Sequence, residues 1–126
     1  MKVTNFENLD CWKISRELVH DVYNVTHHDK FNKDYGLKDQ IQRASVSIMA
    51  NIAEGFDSHS NKSFVHFLTY SYRSASEVQS LLYVALDLSY ISQEDFNFIY
   101  QKSQRVHKLI AGLSRYLMNS ADSPER

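Results

Sequence analysis

The sequence predicts an all-α protein: an antiparallel up-down-up-down four-helix bundle forming a single domain over residues 1–126. Three observations carry that prediction. Apolar residues recur at spacings of three and four through four long segments. Only three glycines and one proline, Pro124, are available to interrupt them. The connections between segments are short and polar, which favours antiparallel neighbours. A chain of 126 residues, 43 % of them apolar and including seven Phe, eight Tyr and one Trp, has enough material for one hydrophobic core. Neither an alternating strand pattern nor a repeat of roughly 20–50 residues is visible.

The first helix is expected from Phe6 to His28. Cys11, Ile14, Ser15, Leu18, Val22 and Val25 share one side of it, and Trp12, Val19 and Tyr23 widen the stripe. The run HHDKFNKDYG then breaks the pattern with polar and turn-forming residues. A second helix is expected from Tyr35 to Glu54, with Gly55 just past its end in the left-handed backbone that glycine takes cheaply. Ser60 or Asn61 is placed to cap a third helix, Lys62 to Leu88, along Phe64, Phe67, Leu68, Ser71, Ala75, Val78, Leu82, Ala85 and Leu86. Ser92, with Asp95 three positions on, resembles a capping box for the fourth helix. That helix runs to about Asn119 through Phe96, Ile99, Val106, Leu109, Ile110, Leu113 and Leu117. Residues 1–5 and 120–126 read as frayed tails.

Composition bounds the function. The formal charge of −1 argues against generic attraction to polyanions. A lone cysteine, Cys11, excludes an internal disulfide framework and fits a reducing compartment. No apolar run approaches the roughly 20 residues that span a bilayer. The opening MKVTNFENLD lacks the basic and apolar blocks of a signal peptide. A cytoplasmic protein without a membrane partner is expected.

The second helix is the informative one. Leu37, Ile41, Ala44, Ile48 and Ile52 fall within an arc of about 80°, an ordinary core stripe. Val46, Met49, Ala50 and Ala53 form a second apolar face broadly opposite. Between the two runs a polar seam of Gln40, Arg43, Ser47, Asn51 and Glu54. A surface helix of a monomer needs one apolar face, so the second wants a partner, and another copy of the same chain is the nearest candidate. The seam reads as a solvated strip, a buried register-fixing network, a subunit-interface network or a ligand site. Arg73, Ser74 and Glu77 on the third helix are placed to join it, with Glu77 against Arg43 and Arg73 against Glu54 as candidate pairs.

Candidate chemistry is sparse. The adjacent His27 and His28 point about 100° apart on a regular helix, and no H-x-x-x-H spacing occurs. Cys11 lies on a packed face without a cysteine partner. Glu54 and Glu77 could pair as carboxylates, yet no nucleophile accompanies them, and no phosphate-binding or dinucleotide fingerprint is present. No catalytic, cofactor or metal site is therefore expected, and the chain does not read as an enzyme. From Phe96 to Ala121 the bases Lys102, Arg105, Lys108 and Arg115 occur with no acid, so that segment carries +4 and the remainder −5. They either complement the dipole of the fourth helix or form a ridge that touches RNA, DNA or an acidic protein.

The run YGLKDQIQRASVSIMANIAEG, Tyr35 to Gly55, resembles the signature of the four-helix-bundle family that includes 23S rRNA intervening-sequence proteins. Phe6-x-x-Leu9-x-x-Trp12, Lys62-x-Phe64-x-x-Phe67-Leu68 and Ser74-x-x-Glu77 agree with it. The resemblance covers nearly the whole chain. One position departs: Arg73 stands where the family often has a small glycine before the serine of the third helix. The resemblance implies a four-helix bundle, a homo-oligomer that in some members is a barrel-like pentamer, and no demonstrated biochemical role in most. A related branch, the accessory proteins of diversity-generating retroelements, binds nucleic acid and a reverse transcriptase through strongly basic surfaces, a property this chain's net charge does not share. The reading that follows is a non-enzymatic, self-associating interaction or scaffold protein. The alternative is a nucleic-acid-binding accessory protein that uses the ridge on the fourth helix.

Overall fold

A single 3-10 turn, Phe6–Asn8, precedes α1, Asp10–Thr26, so the first predicted helix is two pieces rather than one. Leu9 divides them. Its backbone is extended (φ −75°, ψ 130°) and its side chain is buried, which sends the chain around a corner. The corner sets the Phe6 ring edge-on to Trp12, with centroids 5.3 Å apart. The computed structural model describes residues 2–120. Most of the expected C-terminal tail, 121–126, lies outside the described residues, as does Met1. Of the expected N-terminal tail, Val3 packs against the core.

The polar run after α1 holds a short helix, α2, Asp29–Lys33, where only a break is expected from sequence. Its Phe31 is fully buried and lies 5.3 Å, centroid to centroid, from the ring of Tyr90. Asp34 then caps α3, Tyr35–Phe56: its Oδ1 accepts from the Leu37 amide at 3.1 Å, while its Oδ2 accepts from the Tyr90 hydroxyl at 3.0 Å. One carboxylate thus ties two turns together at one end of the bundle.

Gly55 does not end α3 in the left-handed region. No glycine has positive φ, Gly55 lies inside the helix, and the C-cap is Asp57. The residue is needed for a different reason. A Cβ on Gly55 would stand 2.8 Å from both Phe64 Cδ1 and Phe67 Cβ, so α3 and α4 approach closely there. Ser60 caps α4, Asn61–Asp87, through the Ser63 amide at 3.1 Å, and Ser92 caps α5, Gln93–Met118, through the Asp95 amide at 3.0 Å. The left-handed cap sits between these two helices instead. Ser89 has φ 60°, its amide donates to the Leu86 carbonyl at 2.9 Å, and the Tyr90 amide donates to that of Ala85 at 2.8 Å.

The four long helices close a ring, with α1 against α3, α3 against α4, α4 against α5 and α5 back against α1. Pairings between elements show the directions. Along α3 and α4, Gln40 meets Glu77, Ser47 meets Ser74 and Gly55 meets Phe64. Along α4 and α5, Ser76 meets His107, Gln79 meets Ser103 and Tyr83 meets Phe96. Numbers rise on one strand of each pair as they fall on the other, so neighbours run antiparallel. Leu18, Ile41, Ile48, Ile52, Phe64, Leu68, Leu82 and Val106 are fully buried at the axis. Removing each such side chain from water stabilises the fold by about 1.5–3 kcal/mol. Buried hydroxyls are bonded: Ser15 to the Cys11 carbonyl at 2.6 Å, and Ser71 across to the Ile48 carbonyl at 2.8 Å. Burial also pushes the Cys11 thiol up to about 12, so it behaves as a small hydrophobe.

Candidate functional site

Three surfaces gather the residues singled out from sequence. The first is the seam between α3 and α4. Gln40 Nε2 donates to Glu77 Oε2 at 3.3 Å, and Ser74 Oγ donates to Ser47 Oγ at 3.1 Å. Asn51 Nδ2 donates to the Ser47 carbonyl at 2.9 Å and to its hydroxyl at 3.1 Å. Ser47, Asn51 and Ser74 are half-buried, whereas Gln40, Arg43, Glu54 and Glu77 are exposed. The candidate pairs of Glu77 with Arg43 and Arg73 with Glu54 do not form. Among the described residues the ion pairs are those of Lys102. Long exposed side chains lose rotamer freedom when they pair in water, and the protomer leaves Arg43, Glu54 and Arg73 solvated.

The second surface is the outward side of α3. Val46 is 39 % exposed, Ala50 is exposed, and Met49 and Ala53 are half-buried. Among the described residues the main packing of α3 is on α1, α2, α4 and the N-terminal turn, and it leaves this stripe only partly covered.

The third is α5, where the ridge changes composition. Lys102 does not belong to it. Its Nζ lies 2.6 Å from Asp21 Oδ2 and 3.4 Å from Glu17 Oε1 on α1, with the Lys102 and Asp21 side chains only 14 % and 16 % exposed. The same ammonium sits 4.7 Å from the centre of the Phe98 ring. The lysine therefore clasps α5 to α1. Arg105, Lys108 and Arg115 are exposed. Sequence reasoning missed the clasp although Glu17 and Asp21, four apart on one helix face, carry a legible signal for it.

Between α4 and α5, His107 stacks on Tyr72 with centroids 3.9 Å apart. Its Nε2 lies 3.0 Å from the Tyr72 carbonyl and 3.1 Å from Ser76 Oγ, and its Nδ1 lies 3.3 Å from Gln79 Nε2. One neutral tautomer satisfies all three: Nε2–H donates to the two oxygens and Nδ1 accepts from the amide. Burial lowers the His107 pKa from its ordinary 6.5, partly opposed by the bond to Tyr72. Folding thus favours the neutral ring. The stability this contributes is complete above pH 6.5 and is lost as pH falls through the lower folded value. Melting temperatures of wild type and His107→Gln, followed from pH 8 to 5, should converge towards the acid end, because only the wild type carries this penalty. A constant difference across the range would show that His107 is indifferent to its charge.

A surface cleft of about 740 Å³ runs along α1 past Trp12, Arg16 and His20 to Lys102. Side chains of both signs line it, so it concentrates neither charge. Among the described residues no three His, Cys, Asp or Glu side chains stand together as a metal site, and no helix is long and apolar enough to cross a membrane.

Comparison with known proteins adds two likenesses. The family described as 23S rRNA-intervening sequence protein matches residues 7–112. The crystal structure of a protein of unknown function from the S23 ribosomal protein family of Bacteroides thetaiotaomicron is similar at a TM-score of 0.77 and 24 % identity. That likeness covers 83 % of this chain and 95 % of the other, and it shows a shared fold. No functionally curated protein matches.

Proposed function

We propose that this chain, which belongs to the 23S rRNA-intervening sequence protein family, is a non-enzymatic scaffold that works as a homo-oligomer in the cytoplasm. The observation that carries the reading is the partly exposed apolar stripe of α3, Val46, Met49, Ala50 and Ala53, flanked by Arg43 and Glu54, which have no ion-pair partner among the described residues. A second copy seated there removes the stripe from water and gives the two flanking charges partners of opposite sign. The family resemblance favours five copies in a ring. Gln40 and Ser47 of the seam are taken up in bonds to Glu77 and Ser74 on α4, which supports a positioning role over chemistry. A single buried thiol suits a reducing compartment.

Multi-angle light scattering tests the assembly. Wild type is expected to run as an oligomer at micromolar concentration. Met49→Lys combined with Ala53→Lys should disperse it to monomers that remain helical, because two desolvated ammonium groups are costly in an apolar contact. A monomeric wild type would sink this reading.

A further inference from the structure

We propose that the outward face of α5 is a nucleic-acid-binding surface built from Phe98, Arg105, Lys108, Gly112, Arg115 and Tyr116. At 100° per residue these six fall within an arc of about 100°, and at 1.5 Å per residue Phe98 and Tyr116 stand about 27 Å apart along the axis. All three bases are exposed, and none has an ion-pair partner among the described residues. No acid occurs on α5 after Asp95. The three bases give the face +3, while Lys102, at its edge with its ammonium against the Phe98 ring, is neutralised by Asp21 and Glu17.

Two further features set this arc apart from a merely solvated strip of bases. Phe98 is 59 % exposed and Tyr116 is 48 % exposed, so two large rings stand in water at the ends of the charged stretch. A phosphodiester strand uses both kinds of group, with cations on its phosphates and rings against unpaired bases. An acidic protein segment would engage the cations and leave the rings idle. Two copies meeting through this face would bring like charges together.

Gly112 is the second feature. It lies mid-helix, where glycine is the worst residue after proline, and a Cβ there would meet nothing within 4 Å. Packing inside the protomer does not require it. It leaves a patch of bare backbone between Lys108 and Arg115, where a phosphate chain can approach the helix more closely than over any side chain.

Three phosphate contacts per protomer make a weak site with a defined salt response. The slope of log K against log salt should be about −2 for single strands and about −3 for duplex. The contact does not depend on assembly. If the oligomer proposed above forms, the face repeats in every subunit, and apparent affinity rises by about 10²–10⁴ when one strand reaches several copies.

Fluorescence anisotropy with a labelled structured RNA carrying a single-stranded loop, and with duplex DNA of equal length, tests the proposal at low and near-physiological salt. Binding is expected at low salt with the slopes given. Arg105→Glu with Lys108→Glu should abolish it. Gly112→Leu, which keeps every charge, should weaken it about tenfold, while the melting temperature does not fall and light scattering is unchanged. DNA binding with the duplex slope given above and the same sensitivity to these variants supports the phosphate contact equally. The dispersed Met49→Lys, Ala53→Lys variant should retain weak, salt-sensitive binding, which keeps this face testable apart from the assembly. No binding of either nucleic acid at low salt overturns the proposal, as does binding that neither variant alters. Dissociation of the oligomer by Gly112→Leu also overturns it, since the glycine would then serve a subunit contact.

Discussion

Phe31→Ala is expected to destabilise the folded chain by about 3–5 kcal/mol, the range for deleting a fully buried aromatic ring. Phe31 has no exposed surface, and its ring packs against Tyr90 at the end of the bundle where α2 crosses. That end has few ways to collapse around a void. Asp34 is fixed by its bonds to the Leu37 amide and the Tyr90 hydroxyl, and Asp29 enters α2 with a left-handed φ of 45°. The cavity should therefore persist, which puts the cost towards the upper part of the range. Urea unfolding followed by circular dichroism measures it, with the midpoint shifted and the slope preserved. A loss below about 1 kcal/mol would show that α2 is ornamental and that the four long helices hold without it.

Gly55→Ala is expected to cost about 1–3 kcal/mol, although alanine is ordinarily the better helix former. The new methyl would sit 2.8 Å from Phe67 Cβ, an atom pinned to the α4 backbone, and 2.8 Å from the Phe64 ring, which is itself edge-on to Phe56. Neither neighbour can swing away, so α3 and α4 must separate. The same exchange at Gly112, where the space is open, should instead stabilise by up to about 1 kcal/mol. Thermal melts of the two variants side by side form the test, and the opposite signs are the diagnostic result. Equal shifts would mean that intrinsic propensity, and not helix approach, governs both positions.

These two positions show where sequence was legible and where it was not. Periodicity places the four long helices because a stripe of apolar residues every three or four positions has one packed solution, and the serine caps at Ser60 and Ser92 follow from the same local chemistry. The role of Gly55 is ambiguous in the sequence, since a glycine near a helix end has two physical uses, a left-handed cap and a close approach. Only the position of Phe67 on another helix decides between them. The left-handed cap fell to Ser89, which no glycine announces. Phe31 is silent in the sequence because one apolar residue in a polar run has no period. Sequence neighbours place Lys102 with Arg105, Lys108 and Arg115, whereas its environment is set by Glu17 and Asp21, about eighty positions away. Surface charge is the least legible property of all, since it is decided by whatever another helix presents.

The ring order of the helices has a kinetic consequence. Three of its four contacts join long helices that follow one another in the chain, and only α1 against α5 reaches from one end of the fold to the other. Hairpins of consecutive helices close small loops at little entropic cost, so most of the structure can assemble by local zipping in the rapid regime of low contact order. The closing step alone must pay for a long loop. The Lys102 clasp stands on that contact, where an attraction between charges is most useful: it holds shut the one seam that chain connectivity does not.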